Sequence, residues 1–188
     1  VEPVFSAGQI GGALQVDNLT HIEVPNSADT NLTGSLTFET WFKADDLARE
    51  WQSIVYKGNG NSNQRSYSLW LNQGGYLHLS TGDNGNQTID SAVGGIVTGQ
   101  WYHVAGVLDR TNGLMKLYID GAEAASGALR TNAARETTNP LRIGSASEGD
   151  GYSLHGQIDD FRLWNTARTP AQISDDRNAA LAGNEAGL

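Results

Sequence analysis

The chain has 188 residues, 38% of them hydrophobic, with five Trp, six Tyr and four Phe, which is enough apolar material for one good core and rather little for two. A net charge of −9 repels phosphate backbones and disfavours nucleic acid as a partner. Cysteine is absent, which excludes disulfides, zinc–thiolate sites and cysteine nucleophiles, and no apolar run approaches the ~20 residues that cross a bilayer as a helix.

The first segments alternate with the two-residue period of half-buried strands. Leu14 and Val16 alternate with Gln15 and Asp17, and Ile22 and Val24 with His21 and Glu23. In residues 36–43 Leu36, Phe38, Thr40 and Phe42 share one face, and Thr37, Glu39, Trp41 and Lys43 share the other. A short buried strand is predicted over 53–56. In residues 66–71 Tyr67, Leu69 and Leu71 oppose Ser66, Ser68 and Trp70. The chain then turns at 72–75, and Leu77 and Leu79 oppose Tyr76, His78 and Ser80. A second hairpin joins 101–109 to 114–120 through Asn112-Gly113, a pair suited to the positive φ angles of a tight turn. Asp120-Gly121 repeats the signal before a weaker strand near 123–125, and strands at 141–144 and 156–164 complete the set. Thr169-Pro170-Ala171-Gln172 reads as a capping box with Pro at the first helical position, which predicts one short C-terminal helix at the rim. About a dozen short strands without room for strand–helix–strand units predict an all-β fold, one domain over residues 1–188, a two-sheet antiparallel jelly-roll sandwich.

Four stretches in order carry a family resemblance: Gly11 to Asp17 leading to Ile22-Glu23-Val24-Pro25; Leu36 to Lys43; Trp101 to Ala105 with Lys116 to Gly121; and Gly156 to Trp164. Together they resemble the laminin-G-like, concanavalin A-like jelly-roll domains of bacterial extracellular proteins. The resemblance implies two antiparallel sheets whose concave face or rim loops carry ligands. It also implies a structural calcium, with Asp17 and one of Asp159 and Asp160 brought side by side. Calcium takes six to eight hard oxygens, so two carboxylates with carbonyls and water suffice.

If Leu and Phe point inward, Trp41, Trp70 and His78 point outward, and an exposed indole among polar groups suits the C–H face of a sugar. Trp70 and His78 lie beside serines and read as solvated, whereas Trp41 and Trp101 are equally read as covered by a loop. The polar loops at 57–65 and 82–87 offer Arg65, Asp83, Asn84 and Asn86 as hydroxyl partners, although such segments are also what plain hairpin tips contain. Trp51 with Arg49, and residues 147–152, form further rim loops. Hydrolases of this fold place acidic residues in a Glu-x-Asp-x-x-Glu pattern on one strand, which is absent here. The expectation is a non-catalytic module of an exported protein that binds a polysaccharide or glycoprotein glycan and is stabilised by calcium. The alternative is a structural or protein-interaction domain without a glycan ligand.

Overall fold

The computed structural model describes residues 2–83, 85–146 and 150–188. In chain order the strands are β1 (Phe5–Ala7), β2 (Gly12–Val16), β3 (Ile22–Val24), β4 (Leu36–Ala44), β5 (Trp51–Gly58), β6 (Arg65–Asn72) and β7 (Tyr76–Gly82). They continue with β8 (Asn86–Asp90), β9 (Trp101–Asp109), β10 (Leu114–Ile119), β11 (Ala122–Ala128), β12 (Leu141–Ile143) and β13 (Gly156–Trp164), before helix α1 (Pro170–Asp176). One sheet has seven strands in the order β1-β2-β13-β4-β9-β10-β11; the other has six, β3-β12-β5-β6-β7-β8. Every pairing within them is antiparallel. The two-layer all-β sandwich is therefore as expected.

Alternation explains the core. Leu36, Phe38, Phe42, Val104, Leu108 and Leu117 of the seven-stranded sheet meet Tyr67, Leu69, Leu71, Leu77 and Leu79 of the other. Phe38 stacks on Tyr67 with ring centroids 5.8 Å apart. Directly across from Phe38 on β9 stands Gly106, and a Cβ there would lie 2.5 Å from the Phe38 ring. Any larger residue would push the sheets apart. The β10–β11 turn is Asp120-Gly121, both at positive φ, the backbone of the two-residue hairpin loop that the dipeptide suggested.

Three elements differ from the sequence expectation. The predicted 53–56 strand extends over all of β5. The loop at 82–87 runs into β8, whose exposed alternation against β7 makes it an edge strand. The helix begins where predicted, with Thr169 and Gln172 closing the capping box, but it does not sit at the rim. It lies on the outer face of the seven-stranded sheet, where Ile173 packs on Ala105, Val107 and Tyr118.

Candidate functional site

The outward residues of β6, β7 and β8 fall into register. Trp70 pairs with His78 and His78 with Asp90; Ser68 pairs with Ser80 and Ser80 with Thr88. On this outer face of the six-stranded sheet is a cavity of about 330 Å³ lined by Trp51, Ser62, Arg65, Trp70, His78, Asn86 and Tyr152. Four residues singled out from sequence, Arg65, Trp70, His78 and Asn86, thus converge on one cleft.

The cleft is built as a small second core. Trp70 turns away from the interior, as alternation requires, but it does not look out at water, being only 2% exposed. The Arg65 guanidinium lies 4.5 Å over its ring, and Tyr56 and Tyr152 present their edges at 5.7 and 5.8 Å. Its Nε1 donates to Ser68 Oγ at 2.9 Å, and Ser68 and Ser80 share a 2.7 Å hydrogen bond. Trp70 is therefore the floor of the cleft rather than a free platform. The neighbouring indole, Trp51, is half-buried and wedged against Tyr76 at 5.9 Å and His78 at 5.2 Å. His78 Nδ1 lies 2.6 Å from Asp90 Oδ1, which fixes the imidazole plane. Sequence reasoning passed over Asp90. The strand β8 that carries it was hidden in an Asn/Gly-rich segment whose strand character comes from pairing with β7.

The other proposed ligand residues lie elsewhere. Trp41 is on the opposite sheet, 8% exposed, and its Nε1 donates to the Arg177 carbonyl at 2.8 Å. The segment after α1 covers most of it, leaving an edge on a surface pocket shared with Trp101, Asp120, Arg177 and Asn178. Asp83 faces Arg130, taking hydrogen bonds of 2.9 and 3.0 Å from Nε and 2.5 Å from Nη2, so it buttresses a turn. Asn84 lies outside the described residues, as do residues 147–149 of the loop leading to Tyr152.

The three aspartates expected to hold calcium do not meet. Asp17 Oδ1 accepts the backbone N–H groups of Leu19 and Thr20, both at 2.8 Å. Those bonds, Leu19's foremost, hold its carboxyl below the usual range. Asp159 Oδ2 accepts the N–H groups of Gln9 and Ile10, both at 2.7 Å. Asp160 stands at a bulge with φ of 50° and pairs with Arg162 Nη2 at 2.5 Å; burial pushes its carboxyl up. Because Val16 pairs with Gly156 and Leu14 with Ile158, Asp17 and Asp159 sit four residues apart in register, about 13 Å along the strands. Among the described residues no three His, Asp or Glu side chains are grouped to hold a metal. Carboxylates turned onto N–H donors and spread along two strands do not fit a shared calcium.

Beneath α1 lies a second polar cluster. Glu39 is fully buried and accepts from Trp164 Nε1 at 2.8 Å and Arg168 Nη1 at 2.9 Å, with Arg162 at 3.7 Å and His103 at 3.6 Å. Arg162 also donates to the Asp176 and Ala179 carbonyls, and Arg168 pairs with the Asp176 carboxylate. Burial, and then the positive charge of the nearby arginines, lowers the His103 pKa to about 4; burial raises that of Glu39 against the pull of Trp164 and both arginines. This network straps the C-terminal segment down over Glu39, which is fully buried.

Comparison with known proteins agrees with this architecture. Domain 4 of AbnA, a GH43 extracellular arabinanase from Geobacillus stearothermophilus determined with arabinotriose, superposes with a TM-score of 0.71 at 23% identity, covering 93% of this chain and 81% of that one. The CBM40 of the Ruminococcus gnavus IT-sialidase, bound to α2,3-sialyllactose, gives a TM-score of 0.66 at 16% identity over 82% of this chain and 94% of that one. A curated relative, mouse pappalysin-1, is 33% identical over 82 residues, 42% of this chain. The chain spans 5% of that protein's length. Residues 17–174 match the family model of the concanavalin A-like lectin/glucanases superfamily, and the chain belongs to that family.

Proposed function

We propose that this domain is a non-catalytic carbohydrate-binding module of an exported, multidomain protein, and that it holds glycan in the cleft floored by Trp70. The observation that carries the reading is convergence: Arg65, Trp70, His78 and Asn86, chosen as sugar-binding side chains, line one cavity with Trp51 and Tyr152. Aromatic rings beside hydroxyl, amide and imidazole groups are the chemistry that a sugar ring requires. Among the described residues the lining includes no carboxylate, whereas retaining hydrolysis needs two about 5–5.5 Å apart. Two structural neighbours were determined with oligosaccharides bound, which supports the same ligand class. A small site of this size is expected to bind in the micromolar to millimolar range.

The test is titration of a polysaccharide and oligosaccharide panel against tryptophan fluorescence, using the whole domain and its Trp51→Ala variant. Saturable quenching by one glycan class, lost in the variant, supports the proposal. A domain indifferent to every glycan is a spacer or docking module instead.

A further inference from the structure

We infer that the cleft receives the end of a glycan, its terminal one or two sugar units, and not an internal stretch of chain; this rests on the carbohydrate reading above. A site that binds mid-chain must let the polymer enter on one side and leave on another. The described lining residues stand on every side of this cleft. Along the strands, Trp51 stands at one end, on β5 across from Asn72, and Arg65, across from Gly58, stands at the other with Ser62 beside it. Across the strands, His78 on β7 and, toward the Arg65 end, Asn86 across from Gly82 mark one side. Tyr152 marks the β5 side, where the Ser53–Ser153 bridge lays its loop against the sheet. Trp70 forms the bottom, so among the described residues the broad exit is upward, away from the sheet.

The walls are also braced. Trp51 is held by edge contacts to Tyr76 and His78, Tyr152 rests on Trp70, and Arg65 is bonded to Ser80 at 3.3 Å as well as stacked on Trp70. Rotating one of them aside to open a channel breaks packing that is already made. The volume points the same way. About 330 Å³ lies at the floor of the roughly 300–1,000 Å³ range of ligand pockets, which leaves room for a short terminus and little more.

The experiment uses the intact domain and size-fractionated linear chains of debranched arabinan, inulin, dextran and polygalacturonate, with the di- and trisaccharide of each. For the polymer that binds, calorimetry counts domains bound per polymer chain at saturation. End recognition predicts a constant count as chain length rises tenfold, and a trisaccharide that matches the polymer's per-site affinity within about threefold. A count that climbs with length, or a trisaccharide at least tenfold weaker than the polymer, overturns the inference while leaving carbohydrate binding intact. Silence toward every chain overturns both.

Discussion

On the outer face of the seven-stranded sheet, Trp41, His103, Glu39 and Arg162 lie beneath α1 and the segment that follows it. On the outer face of the six-stranded sheet, Trp70, His78 and Arg65 line a cleft that opens to solvent, and Asp90 pairs with His78. The two sets contain the same residue types on strands of the same alternation. What separates them is the second layer. A seven-residue helix with one fully buried apolar side chain, Ile173, contributes little hydrophobic attachment, so buried ionic contacts hold it: Arg168 to Glu39 and Asp176, and Arg162 to the carbonyls of 176 and 179. No such strap crosses the described part of the other face, where the imidazole–carboxylate pair stays partly in water. Period two tells which residues leave the core; it does not tell which are then covered.

The comparison breaks most directly at Glu39. Glu39→Ala removes the fully buried carboxylate, leaving Arg168 with Asp176 alone and Arg162 with Asp160 alone, and breaking such a buried pair costs about 3–5 kcal/mol. At roughly 2–4 °C per kcal/mol for a domain of this size, the melting temperature should fall on the order of 10 °C, measured by calorimetry. A loss of less than about 1 kcal/mol would mean that the strap is held by something else. The second effect is in pH. With the folded His103 pKa at about 4 against an ordinary 6.5, the unfolded chain takes up a proton that the folded chain refuses. Stability therefore drops as pH falls from 6.5 toward 4, by about 3 kcal/mol across the window. Glu39, raised by burial, slopes the other way: its contribution grows as pH falls through its folded pKa toward 4.5. Urea unfolding at pH 7 and 4.5 should thus show a loss in the native protein that His103→Gln removes, unmasking the opposite slope.

Much of this was legible in advance. Apolar residues at nearly every second position of β4, β6 and β7 dictated two faces, and Asn112-Gly113 and Asp120-Gly121 marked the turns on either side of β10. In the cleft, Trp70 and His78 could be chosen because they lie on outward positions of neighbouring strands, and Arg65 and Asn86 because they stand in polar loops. Burial of Trp70 could not, since its lid comes from residues 5 and 82 positions away, Arg65 and Tyr152. The expected meeting of Asp17 with Asp159 failed at register. A carboxylate at the end of β2 and another in β13 look adjacent only until Val16 is seen to pair with Gly156, which slides them apart. Trp41 misled for the converse reason, since its partner carbonyl belongs to Arg177, far along the chain and outside any strand pattern.

A paired substitution sharpens the contrast between the indoles. Trp51→Ala should weaken glycan binding at least tenfold, about 1.4 kcal/mol, with the fold retained by circular dichroism. Trp41→Phe removes the bond to the Arg177 carbonyl and part of the buried ring that packs on His103, costing about 1–3 kcal/mol of stability without changing affinity. Equal effects of both on binding would erase the distinction between the covered and open faces.

The smallest expected effect concerns the turn beside the cleft. Asp83 was a plausible sugar ligand, yet its carboxylate is turned onto Arg130, and the Arg130 side chain is 47% exposed. An ion pair with one partner that accessible is screened by water and salt and contributes about 0–1 kcal/mol, so Asp83→Asn should shift stability by less than that. Its bearing on binding is the sharper point. Arg130 also donates to the Gly85 carbonyl, and Gln87 accepts the Arg130 backbone N–H. The turn into β8, and with it Asn86, therefore keeps other attachments when the charge is removed. Affinity for the glycan should stay within twofold. A tenfold loss would extend the cleft past Asn86 to the loop at 82–87 and reopen one of the walls on which end recognition depends.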